Sequence, residues 1–172
     1  LRWAEEIVTE AYYHPEPVNM INDPSLIADR AQVRWSGNNY YVAHMRNLGL
    51  LAMALDPADD QGGALGSYLE KAIGAWLYIF DDLLRTDSRG GLLPEGFEYS
   101  PQTSSYAIQF LLALHTAGED DATKWGGNHV DLRENPFWED ILTAYLHSLS
   151  PATTNLDEAP EIGPIYQPAW YG

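Results

Sequence analysis

Residues 88–118 read SRGGLLPEGFEYSPQTSSYAIQFLLALHTAG, and this stretch decides the fold. A glycine pair, a polar and aromatic loop and a strongly apolar run follow one another directly. Ser100-Pro101 has the form of a helix cap followed by proline at the first helical position, and Gly118 has the form of a stop, which predicts a helix over 101–117. Within it Ala107, Phe110, Leu111 and Leu114 make one apolar stripe, flanked by Ile108 and Leu112. Such breadth predicts a helix buried on several sides. Ahead of it stand Glu95, Glu98 and Tyr99, and Tyr106 lies in its early turns. Proton-transfer groups pinned to the start of a buried helix are where a site would be built, and the same residues also suit an ordinary interhelical turn.

Helical spacing recurs on both sides of this stretch. Residues 64–86 carry Leu65, Leu69, Ala72, Ile73, Trp76, Phe80 and Leu83 at three- and four-residue intervals, the longest predicted helix, stopped by Gly90-Gly91. Before it, Ser36-Gly37-Asn38-Asn39 turns the chain into a helix from 39 to 55, apolar nearly all round except for His44, Arg46 and Asn47. Asp23-Pro24 opens a helical piece over 24–35. Residues 1–13 place Trp3, Ile7 and Ala11 on one face of a short helix that ends before His14-Pro15. Downstream, residues 119–135 read as a polar loop of a length that suggests function or disorder, and Asn135-Pro136 opens a helix over 136–149. No stretch alternates as a strand does. The expected fold is all-α, with the helix pairs 39–55/64–86 and 101–117/136–149 as hairpins of one domain over 1–150. A proline-rich irregular tail over 151–172 follows, whose Ile165, Tyr166, Trp170 and Tyr171 predict packing onto something. A bundle, an α-solenoid and a partial (α/α) toroid all fit this order.

The chain has 172 residues, enough for one domain or one piece of a larger one. It starts at Leu1 and not at methionine, so it is expected to be processed or excised from a longer polypeptide carrying further domains. Its 25 acidic residues against nine lysines and arginines give a net charge of −16. That surface repels phosphate backbones and anionic bilayers, so neither nucleic acid nor membrane is expected as a partner. With no cysteine there are no disulfides and no thiolate chemistry. A periplasmic or extracellular setting is favoured over the cytoplasm.

No phosphate-binding loop, dinucleotide fingerprint or HExxH pair is present, and no two of His14, His44, His115, His129 and His147 share a helical turn. No metal or other cofactor is therefore expected. Asp59-Asp60 and Asp81-Asp82 read as solvated acidic pairs. His44 is either a hydrogen-bonded core histidine or, with Asn38, Asn39 and Arg46, part of a cavity shared with Tyr99 or Tyr106. Glu95 and Glu98 could serve a glycosidase, which needs two carboxylates flanking a bond, with Asp29, Asp131 and Glu134 as candidates across the cleft. Of the six tryptophans, Trp76 and Trp138 fit the core, and Trp125, between Lys124 and Gly126-Gly127, is the best exposed platform for a sugar.

The run SGNNYYVAHMRNLGLLAMAL, a long second helix, and then GGLLPEGFEYSPQTSSYAIQFLLAL resemble a segment of the heparinase II/III-like and alginate lyase-like toroid proteins, over about residues 34–118. The resemblance implies a partial (α/α) toroid acting on uronic-acid polysaccharides or oligosaccharides by β-elimination. It further implies that Asn38 or Asn39 holds the uronate carboxylate. Tyr99 or Tyr106 would move the proton, with His44 assisting, and Arg46, Glu95 and Trp125 would line the substrate. The alternative is a non-catalytic helical module that binds carbohydrate or protein.

Overall fold

Asp29 divides the predicted helical piece over 24–35 in two. Its backbone is extended (φ −88°, ψ 100°) and its carboxylate accepts from the N–H groups of Ala31 and Gln32. Helix α1 (Ser25–Ala28) therefore ends where α2 (Arg30–Trp35) is capped. The computed structural model describes residues 24–60, 62–149, 151–155, 161 and 163–165; the predicted helix over 1–13 and most of the tail lie outside them.

Asn38 caps α3 (Asn39–Ala54), its side-chain oxygen accepting from the N–H groups of Tyr40 and Tyr41. The long predicted helix is a continuous rod in three parts: α4 (Ala64–Leu69), a π-helical stretch (Glu70–Leu77) and α5 (Tyr78–Arg85). Then come α6 (Gly96–Ala117), the single turn α7 (Ala122–Trp125) and α8 (Phe137–Ser148). A two-residue antiparallel ladder pairs Thr154 with Ile165 and Asn155 with Pro164. The architecture is all-α apart from this ladder.

Four expectations need correction. Helix α6 starts at Gly96, with φ 70°, and runs through Pro101, which is not its first residue. Packing overrides the proline signal here: Phe97 meets Tyr145 of α8 edge to face at 5.7 Å, and Leu93 is buried just ahead of the turn. Residues 119–135 are an ordered succession of short turns, opened by Asp121, whose carboxylate caps α7 at the Thr123 N–H. In that succession Trp125 is only 3% exposed and belongs to the core. Gly126, at φ 70°, serves as the left-handed stop of α7, and Lys124 lies over the ring. Of the aspartate pairs, Asp59 is exposed as expected, and the other three members are engaged. Asp60 accepts from the N–H groups of Ala64 and Leu65, Asp82 pairs with Arg30 at 2.5 Å, and Asp81 pairs with Arg85 at 2.8 Å.

The core forms where α3, the π-helical stretch and α6 cross. Gly49 of α3 lies so close to Phe110 of α6 that a β-carbon would sit 2.3 Å from the ring, and Ala72 closes the third side at 3.1 Å. Trp76 stacks between Phe80 and Phe110, 5.7 Å from each, and donates its indole N–H to the Ser36 carbonyl. Contacts between α3 and α6 advance in the same direction: Asn38 and Asn39 with Glu95, Arg46 with Tyr106 and Gln109, Gly49 with Phe110. These two helices are therefore parallel. The rod between them runs back, since Gly37 faces Leu83 while Gly49 faces Ala72.

Candidate functional site

Glu95 and Asn38, 57 residues apart in sequence, are in contact. One carboxylate oxygen of Glu95 accepts from the Asn38 side-chain amide at 2.8 Å and the other from the Asn39 backbone N–H at 2.7 Å. A carboxylate placed this way satisfies free donors of α3 and meets the positive end of its dipole. Asn38 and Asn39 turn their own side-chain oxygens onto the N–H groups of Tyr40 and Tyr41. Burial pushes the Glu95 carboxyl above its ordinary value, against the donors from Asn39, Thr103 and Asn38 that favour its charge. The Thr103 hydroxyl lies near without reaching hydrogen-bond geometry.

Each oxygen of Glu95 has a donor from within this node. Asn38 and Asn39, the residues expected to hold a carboxylate, hold one that belongs to the protein. Glu95 joins the ends of the two parallel helices. Asp29 is occupied as the cap of α2, Asp131 pairs with Arg133, and Glu134 accepts from Asn128 at 3.4 Å.

A second constellation lies further along the same pair. The Arg46 guanidinium sits 4.0 Å from the centroid of the Tyr106 ring, bonded to the side-chain oxygens of Asn47 and of Gln109. Gln102 donates to the Tyr106 hydroxyl at 2.8 Å. On α6, Tyr99, Gln102, Tyr106 and Gln109 follow at intervals of three and four residues, so they form one stripe. On α3, Tyr40, His44 and Asn47 do the same, with His44 half-buried. Tyr40 is 63% exposed and Tyr99 44%. Gln102 and Gln109 were not singled out from sequence, although their spacing from Tyr99 and Tyr106 is visible there.

Electrostatics set Arg46 apart from most of the other cations. Arg30, Arg34, Arg85 and Arg133 each pair with an aspartate, and Lys124 pairs with Glu119. Those pairs move their acids: Arg34 and Arg30 hold Asp87 below the usual carboxylate range, and Arg133 brings Asp131 to about 2. Arg46 has only neutral amide partners among the described residues. Of the sequence-predicted residues, the structure thus gathers Asn38, Asn39 and Glu95 in one node and Arg46 and Tyr106 in another. Tyr99 and His44 lie on the stripes beside the second, and Trp125 belongs to the core.

Comparisons with protein-family models, with curated proteins and with solved structures each find no match for this chain.

Proposed function

We propose that the chain is a segment of an (α/α) toroid from a carbohydrate-active protein that cleaves uronic-acid polysaccharides by β-elimination. Its working surface in this reading is the polar and aromatic stripe across α3 and α6. The observation that carries the proposal is Arg46: a cation without an acidic partner among the described residues, stacked on a tyrosine whose hydroxyl is held by Gln102. Elimination needs those two groups together. Tyr99 or Tyr106, with His44 assisting, would take the proton α to the uronate carboxyl, the C–H electron pair forms the new double bond, the glycosidic bond at the β carbon breaks, and the departing oxygen takes a proton. Arg46 would neutralise the carboxylate, which makes the α proton easier to remove, and Tyr106 would move a proton, with Tyr99 and His44 beside it. Asn38, Asn39 and Glu95 would fix the two helices in register. The parallel packing of α3 and α6 with the rod returning between them supports the toroid, because toroids place consecutive inner helices side by side in one direction.

The test is an ultraviolet absorbance assay for the unsaturated uronate, run on the longest native form of the protein with alginate, heparan sulfate, chondroitin and hyaluronan. Tyr106→Phe should lower turnover by about 100-fold or more, and Arg46→Gln should raise KM. Unchanged rates in both Tyr106→Phe and Tyr99→Phe sink the assignment of the tyrosines, and no unsaturated uronate from any substrate sinks the lyase reading. The engagement of Asn38 and Asn39 by Glu95 favours one alternative, a module that binds acidic sugars without cleaving them. A flat absorbance trace with saturable binding that Arg46→Gln abolishes would select it.

A further inference from the structure

On another face of α6, an apolar groove of about 490 Å3 opens between this helix and α8. Pro101, Ser104 and Ile108 form one wall, and Ile141, Leu142 and Leu146 form the other. Leu142 is 67% exposed and Leu146 70%, an unusual position for adjacent leucines on one helix face. In the groove, the Ser104 hydroxyl is buried and has no hydrogen-bond partner among the described residues.

The rim is acidic. Glu98 precedes Pro101 by three residues and Ser105 by seven, and Glu139 precedes Leu142 by three and Leu146 by seven. Those spacings put both exposed carboxylates on the same helix faces as the walls, one turn before each wall begins. Neither pairs with a cation among the described residues, in contrast to the aspartates that Arg30, Arg34, Arg85 and Arg133 neutralise.

We propose that this groove docks a basic amphipathic helix of a partner protein. Aliphatic or aromatic anchors at positions i, i+3, i+4 and i+7 would enter between the two walls, and flanking Lys or Arg side chains would meet Glu98 and Glu139. Charge selects this occupant over others. A second copy of the chain would bring a further −16 to an acidic rim, and an anionic bilayer would be repelled by the same carboxylates. The groove uses neither Arg46 nor Tyr106, so its test is independent of the uronate assay.

The experiment uses the full chain and two fluorescent synthetic helical peptides with identical leucine spacing, one carrying lysines and one carrying glutamates. Fluorescence anisotropy should show saturable binding of the lysine peptide and at least tenfold weaker binding of the glutamate peptide. The double variant Leu142→Asp/Leu146→Asp changes two exposed positions, and circular dichroism checks its fold. It should lose at least tenfold in affinity for the lysine peptide, although its charge is more negative. Simple attraction between opposite charges would leave that affinity unchanged or raise it, which overturns the proposal. Absence of lysine-peptide binding overturns it as well. Self-association in sedimentation that the double variant abolishes would give the groove to a second copy, and binding to phosphatidylglycerol vesicles that the variant abolishes would give it to a membrane; either also overturns it.

Discussion

Gly49→Ala sets two opposed effects against each other at the crossing of α3 and α6. In an exposed helix the change would stabilise by about 1 kcal/mol, because alanine is the better helix former. Here the new methyl would lie 2.3 and 2.4 Å from two Phe110 ring carbons and 3.1 Å from the Ala72 β-carbon. Carbon atoms pack at about 3.5–4.0 Å, so the ring would have to retreat by roughly an ångström. It has nowhere to go, since Phe110 is fully buried and Trp76 tilts against its ring at 5.7 Å. Overpacking of this kind costs about 1–3 kcal/mol, and with a forced shift this large the upper part of that range applies. The expected net loss is about 1–2 kcal/mol. In urea denaturation this lowers the midpoint by about 0.5–1 M at a slope near 2 kcal/mol/M. Phe110→Leu should remove the obstacle, so the double variant should be more stable than the sum of the single effects by about 1 kcal/mol or more. A midpoint raised by Gly49→Ala, with no coupling to Phe110, would refute the close parallel crossing on which the candidate site depends.

Two further outcomes follow from buried titratable groups. Because burial raises the folded carboxyl of Glu95 above its ordinary value of 4.5, its contribution is fully present below that pH and declines as pH rises through the folded value. Urea midpoints across that window should fall less in Glu95→Gln than in the native chain; parallel curves would count against burial as the dominant cause. His129 is buried, close to the Ile73 carbonyl and to Asp81, with its ring edge-on to Tyr78 and its Nε2 atom unpartnered in the cavity that Asp131 and Asn135 also line. Burial holds its folded pKa below 6.5 although Asp81 pulls the other way, so stability is complete above 6.5 and is lost as pH falls below it. His129→Phe should flatten that acid-side loss, and an unchanged pH profile would show that the ring protonates freely in the folded state.

The residues that make each helix were legible in order along the chain. Leu65, Leu69, Ile73, Trp76, Phe80 and Leu83 read as a core face from their spacing, and in the fold Leu65, Ile73, Trp76, Phe80 and Leu83 are buried. The cap at Asn38 was equally visible, because a side-chain oxygen before an apolar run is a local signal. Leu112 shows the limit of such patterns: apolar and on the flank of a buried stripe, it is 52% exposed, since nothing in spacing says how many neighbours a helix has.

What the sequence by itself determined is therefore the all-α class and, among the described residues, the apolar cores of the main helices, both set by contacts within a few residues. Tertiary structure decided everything that depends on which helices meet. It turned Glu95 from a candidate acid into the clasp of Asn38 and Asn39, drew Trp125 into the core, carried α6 through Pro101, and set Arg46 on Tyr106. Each of these rests on contacts between segments far apart in the chain or on packing free energy that outweighs a local preference. Hydrophobic spacing records which face of a helix is buried. It does not record what that face is buried against, and the chemistry of this site lies in that second fact.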